Sequence, residues 1–248
     1  MYKPIQTGIP RKFKSCVAYK EYTLRTTIDT VLCFWSLHTE QELKENFYYL
    51  ILPDGCVDIV FDVSDEPSFT SALVMTPHTT AISVNLGKSF SYVGIRLQPG
   101  AWLKSPLKIV GEQTMVKIFA DFDLEQVREE LSTASPSERI RLLERLAFNL
   151  KQRQVIGENS LVQLLLVNPD RVLAVKDFIS MLHYSRRHVQ RIFRERVGYG
   201  PHDFLKIIRF QQALAGKASY AYADQSHYIR EFKRITGMTP GDFRKTYC

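Results

Sequence analysis

Apolar and polar positions from about residue 20 to 100 follow the period of two expected of strands that bury one face. Residues 46–52 are rich in Tyr and Ile, Pro53-Asp54-Gly55 supplies turn chemistry, and residues 56–63 then alternate, so the two segments read as a hairpin. In the second of them Val57, Ile59, Phe61 and Val63 share one face and Asp58 and Asp62 the other, which predicts a half-buried sheet. Residues 92–97 give a further strand with Val93, Ile95 and Leu97 inward, closed by Pro99-Gly100. A β-sandwich or small barrel fits this part of the chain.

From about Asp123 the period becomes helical, with Leu124, Val127 and Leu131 in one segment and Ile140, Leu143, Ala147 and Leu150 in the next. Ser135 is placed to cap the second helix, with Pro136 at its first position and Glu138 at its third. The Ile140 to Leu150 stripe is expected to pack on its own domain, a dimer contact being the alternative. Residues 157–160 are small and polar and read as a linker, and everything beyond them has a helical period. The expected class is therefore α+β: a β-sandwich or small barrel with flanking helices over residues 1–157, then an all-α domain over 158–248.

Charge sharpens that division. Residues 158–248 hold 15 Lys+Arg against 8 Asp+Glu, whereas residues 1–157 hold 18 against 18, so the whole net charge of +7 lies in the helical part. A neutral globular part joined to a basic one suits a sensor attached to a polyanion-binding module. Cys16, Cys33, Cys56 and Cys248 fall at irregular spacings with no C-x-x-C, which suggests neither a zinc module nor a disulfide framework. The first residues lack the apolar core of a signal peptide, and no apolar run is long enough to cross a bilayer, so a cytoplasmic location without membrane contact is expected.

Within the basic part, residues 174–182 carry apolar residues at helical spacing, His183-Tyr184-Ser185 interrupts them, and Ser185 can cap a helix running to Gly198. That helix puts Val189, Ile192, Phe193 and Val197 on one face and Arg187, Gln190, Arg191 and Arg194 on the other. A charged helix face is commonly just solvated, yet the same logic recurs downstream. Asp224 can cap a helix with Tyr228, Phe232 and Ile235 inward and Gln225, Ser226, Arg230 and Lys233 outward, ending at Gly237.

Tyr184-Ser185-Arg186-Arg187-His188-Val189-Gln190-Arg191-Ile192-Phe193 and Tyr222-Ala223-Asp224-Gln225-Ser226-His227-Tyr228-Ile229-Arg230-Glu231-Phe232-Lys233 resemble the two recognition helices of the AraC/XylS family. Gly237-Met238-Thr239-Pro240 with Phe243-Arg244 is similar to that family's terminal signature. The resemblance covers roughly residues 160–248 and implies two helix-turn-helix units, joined by a helix over 201–215, that dock in successive major grooves. It assigns base reading to Arg187, Gln190 and Arg191 in the first unit and to Gln225, Ser226, His227 and Arg230 in the second. Arg186, Arg194, Lys206, Arg209 and Lys233 become the phosphate partners. It implies a transcription regulator, expected as an activator, with double-stranded DNA as partner and no cofactor or metal. RNA polymerase, a small-molecule effector and a second copy of the chain are the further expected partners. A fragment from about Gly157 onward is expected to bind DNA alone.

One departure stands out. Only eight residues, 216–223, separate the linking helix from the second recognition helix, about ten fewer than the family pattern needs. Fully extended they reach at most about 26–29 Å, with nothing left for a scaffold helix. An omitted stretch is the expected explanation, a natural deletion the alternative.

The first 120 or so residues resemble more loosely the β-rich sensing domains of such regulators, through Pro53-Asp54-Gly55-Cys56-Val57-Asp58 and Gly94-Ile95-Arg96-Leu97-Gln98-Pro99-Gly100. Trp35, Tyr48, Tyr49 and Trp102 are candidate lining for a ligand cavity, although such aromatics are more often core. The rival readings are a cupin-like metal-dependent enzyme and an alkylation-sensing regulator. His38 and His78 are isolated, and no cysteine sits in a recognisable reactive setting, so a non-enzyme is expected.

Overall fold

The computed structural model describes residues 3–23, 28–104, 113–114, 122–167, 175–182, 184–217, 222 and 224–248. Ten strands are present among them: β1 (Val17–Tyr22), β2 (Val31–Thr39), β3 (Phe47–Ile51), β4 (Asp58–Asp62), β5 (Leu73–Met75), β6 (Ile82–Gly87), β7 (Ser91–Leu97), β8 (Trp102–Leu103), β9 (Gln113–Thr114) and β10 (Ile156–Gly157). Six form an antiparallel sheet in the order β1-β2-β7-β4-β5-β9, while β3 pairs with β6 and β10 with β8.

The expected hairpin of residues 46–52 with 56–63 does not form. All five residues of β4 are buried, and a strand covered on both faces is stable only inside a sheet, so β4 takes β5 and β7 as neighbours. The chain between Leu52 and Val57 instead crosses from the small sheet to the large one. The half-buried sheet is corrected in the same way. Val57, Ile59, Phe61 and Val63 do share a face, packed with Val93, Ile95 and Leu97, but Asp58 and Asp62 opposite are only 8% and 1% exposed.

Three layers result. The small sheet faces one side of the large sheet across Phe47, Tyr49, Trp35, Leu37, Val60 and Tyr92. Helices α1 (Leu124–Thr133) and α2 (Pro136–Gln152) cover the other side with Leu131, Leu143, Ala147 and Leu150. The Ile140 to Leu150 stripe thus packs on its own domain. The capping expected at Ser135 is present, the Glu138 carboxylate accepting from the Ser135 N–H at 3.0 Å and its hydroxyl at 2.6 Å.

Charge is buried between the sheets. The Arg96 guanidinium on β7 donates to Asp58 Oδ1 on β4 at 3.0 Å and to the Tyr19 hydroxyl on β1 at 3.2 Å, with Asp54 and Glu21 carboxylates at 3.7 and 3.6 Å. The Trp35 indole on β2 donates to the same Asp58 oxygen at 2.6 Å. Burial works against the charge on Arg96, and Asp58, Tyr19 and Asp54 more than offset it. Burial also pushes the Asp58 carboxyl up, against the pull of Arg96.

The stretch 157–160, expected as a linker, is tied down at its start. Gly157 pairs with Trp102, whose indole donates to the Glu158 carbonyl at 3.1 Å. Among the described residues six helices follow: α3 (Ser160–Val167), α4 (Val175–Leu182), α5 (Arg186–Arg196), α6 (Pro201–Gln212), α7 (Gln225–Thr236) and α8 (Pro240–Tyr247). Ala174 and His183, at the edges of the expected first scaffold helix, lie outside the described residues. Leu161, Val162, Leu165, Val189, Phe193 and Phe204 form the core of the first unit.

The full sequence runs unbroken from Leu214 to Asp224, so no omitted stretch explains the short connection. It is a property of the chain. After α6 a wide turn, Ala213–Lys217, stops at Gly216 with φ +83°, and residues 218–221 and 223 lie outside the described residues.

The two parts touch closely. A Cβ on Gly100, which has φ +75°, would lie 2.6 Å from Val162 of α3. Gly100→Ala is therefore expected to lower stability by about 1–3 kcal/mol, read as a fall in Tm, with part recovered by adding Val162→Ala. An unchanged Tm would mean that the seam opens at no cost. Arg96→Met leaves Asp58 and Asp54 buried without their cation and should cost about 3–5 kcal/mol in urea unfolding. A loss below about 1 kcal/mol would show that water already reaches the cluster.

Candidate nucleic-acid interface

Ser185 opens α5 as expected, its hydroxyl accepting from the His188 N–H at 3.2 Å. Val189, Phe193 and Val197 are fully buried and Ile192 partly so, which fixes the rotation of the helix. Arg187, Arg191 and Arg194 consequently face solvent, with Gln190 half-buried beside them. All three expected base-reading residues of this unit share the outward face.

Arg191 is not idle there. It pairs with Glu195 one turn on, at 3.1 Å, with both side chains more than half exposed. An exposed pair of this spacing is worth only about 0.3–0.5 kcal/mol, so a base edge or phosphate displaces it easily.

The phosphate candidates converge more than their spacing implied. Arg186 and Arg194 of α5 and Arg209 of α6 line one groove of about 410 Å³ together with Gln190, beside Gly200 and Pro201 at the start of α6. A groove with three guanidinium groups next to a helix N-terminus is suited to an anion. Lys206, with its side chain 25% exposed, is not among the lining residues but lies 3.5 Å from Asp203, which is.

In α7 the Asp224 carboxylate accepts from the His227 N–H at 2.7 Å, and Gly237 closes the helix with φ +76°. Phe232 and Ile235 are buried, while Gln225, Ser226, Arg230 and Lys233 are exposed. His227 is half-buried, its ring edge-on to Tyr222 at 5.5 Å between centroids. Both expected recognition helices thus present their polar faces outward. Among the described residues only the first has a scaffold helix ahead of it in the chain, α4.

A second feature lies between the sheets. A cavity of about 230 Å³ is lined by Trp35, Tyr49, Phe69 and Tyr92, with Asp58 and Arg96 as its charged end. Of the aromatics singled out from sequence, Trp35 and Tyr49 line it, whereas Tyr48 is exposed and Trp102 packs beside Gly157 and under the Arg196 guanidinium, 5.1 Å away. The charged end was missed. Its signal was present: Arg96 is the one charged residue of β7, and Asp58 shares with Asp62 the face of β4 opposite Ile59 and Phe61. Burial pushes the Cys33 thiol up to about 12 and Cys56 well above the usual range, so neither is held as the thiolate that an alkylation sensor needs.

Comparison with known proteins adds to this geometry. Residues 28–108, about a third of the chain, match a domain of unknown function, DUF6597. The HTH-type transcriptional regulator MtrA of Neisseria gonorrhoeae is 26% identical over 96 residues, which cover 34% of this chain and 32% of that protein. The match therefore spans about a third of the relative's length. Two crystal structures of ToxT from Vibrio cholerae, one of them an apo form, are each 11% identical with a TM-score of 0.42. They cover 94% and 92% of this chain and 97% of theirs. Two capped helices thus turn their polar faces outward in a chain that is similar, over about a third of its length, to an HTH-type transcriptional regulator.

Proposed function

We propose that the protein is a sequence-specific DNA-binding transcription regulator that reads the major groove through α5 and α7 under the control of its N-terminal part. The observation that carries this reading is the division of α5. Val189, Phe193 and Val197 seal one side, and Arg187, Gln190, Arg191 and Arg194 line the other, at the edge of a groove with three arginines. Guanidinium and carboxamide groups are shaped for bidentate bonds to guanine and adenine, and an arginine cluster beside them suits phosphates.

In this reading Arg187, Gln190 and Arg191 read bases from α5, and Gln225, Ser226, His227 and Arg230 from α7. Arg186, Arg194, Lys206, Arg209 and Lys233 hold the phosphates. The division into a regulatory part, 1–157, and a DNA-binding part, 158–248, rests on the charge asymmetry. The cavity between the sheets is the proposed effector site, fitted to a small molecule with an apolar body and one polar group directed at Asp58 and Arg96. RNA polymerase and a second copy of the chain are proposed partners on family resemblance alone.

The test is selection of genomic DNA fragments by the purified full chain, followed by binding of variants to the selected sequence. Arg187→Ala and Gln190→Ala should each relax base preference at particular positions, by roughly 1–3 kcal/mol of discrimination. Arg194→Ala should instead weaken all sequences alike and reduce the slope of log K against log salt by about one. If all three variants bound the selected sequence as the parent does, α5 would not be a recognition helix.

A further inference from the structure

The apolar face of α7 packs on Phe210 of α6 and Phe243 of α8, and the cluster is completed from outside the helical part. Phe232 and Ile235 pack in one cluster with Leu50 of β3 and Leu52 just beyond it, and Ala81, the residue before β6, joins its edge. The contact is also polar. The Ala81 N–H donates to the Ile235 carbonyl at 2.7 Å, and that carbonyl lies in the last turn of α7, where a helix leaves its acceptors unpaired. Next to it, Gln211 of α6, 3% exposed, donates to the Pro53 carbonyl at 2.9 Å and accepts from the Ile5 N–H at 2.7 Å. Both the helix that carries α7 and α7 itself are thus seated on the same stretch of the β-rich part.

We infer that β3 is the positioning element of the second DNA-reading helix, with Leu50 and Leu52 standing where a scaffold helix would otherwise pack. This rests on the reading of α5 and α7 as recognition helices. The side chains of a strand alternate between faces, and β3 uses both. Leu50 points to α7, while Tyr49 and Ile51 line the cavity, together with Val84 and Leu86 of the paired strand β6. One thin wall therefore separates the cavity from the helix that presents Gln225, Ser226, His227 and Arg230. A molecule filling the cavity bears on β3 and, through Leu50, on the angle at which those four side chains meet the duplex.

The experiment uses the full chain and a sequence it has selected, with the half read by α7 mapped by Gln225→Ala and Arg230→Ala. Leu50→Ala should lower base discrimination in that half by about tenfold or more while the half read by α5 changes less than about twofold, and Leu50→Met should restore it. Ala81→Asp, at a half-buried position on the edge of the cluster, should act like Leu50→Ala and carries the test if that variant does not fold. Loss confined to the α7 half supports the assignment. Equal loss in both halves, or none in a folded variant, overturns it and leaves reading by α5 intact. A parent chain that selects no sequence would overturn the DNA reading and this assignment with it.

Discussion

Eight residues between Gly216 and Ala223 are too few to make a turn, a scaffold helix of two or more turns and a second turn. The helix that follows still carries Tyr228, Phe232 and Ile235 on one side. Burial of each large apolar side chain is worth about 1.5–3 kcal/mol, so leaving the stripe in water would cost a large part of a typical domain's stability. The β-rich part offers the missing cover. Leu50 and Leu52, with Ala81 at the edge, complete a core that also holds Phe210, Phe243 and Tyr247. A fragment from Gly157 onward, expected to bind DNA by itself, would lack this cover and expose those rings.

The same strand pair is held from its other side. The Arg96 cluster ties β1, β2, β4 and β7 together within one sheet, and the stacking of Phe47 on Phe90 helps to fasten β3 across from it. What remains between the sheets is a cavity whose walls are aromatic and whose end is charged. A strand that forms one wall of the cavity and also joins the cluster under α7 links the two by packing alone, with no hinge required.

Electrostatics divides the labour differently from packing. The basic surplus lies wholly beyond residue 157, so in the proposed reading attraction to a duplex belongs to the helical part. Orientation belongs to both parts, because Gln211 and Ala81 bond across the seam and Gly100 brings the backbone against Val162. Charge brings the partner close, and the seam decides how it is met.

Local rules made much of this legible in the sequence. Caps at Ser135, Ser185 and Asp224, the stop at Gly237, and the faces of α5 and α7 depend on residues one to four positions apart, so periodicity and cap chemistry were sufficient for them. The polar face of α5, with Arg187, Gln190, Arg191 and Arg194, followed from the same period. The hairpin drawn between residues 46–52 and 56–63 failed because sequence nearness does not choose strand partners, and a strand buried on both faces takes neighbours that arrive later in the chain. Arg96 and Asp58 are 38 residues apart and looked like surface charges, since only the second sheet makes their face an interior. Whether residues 157–160 are a loose linker, and what covers α7 when its scaffold is absent, were likewise decided only by tertiary packing: the deficit is visible in the spacing of the chain, but the surface that fills it comes from residues more than 150 positions away.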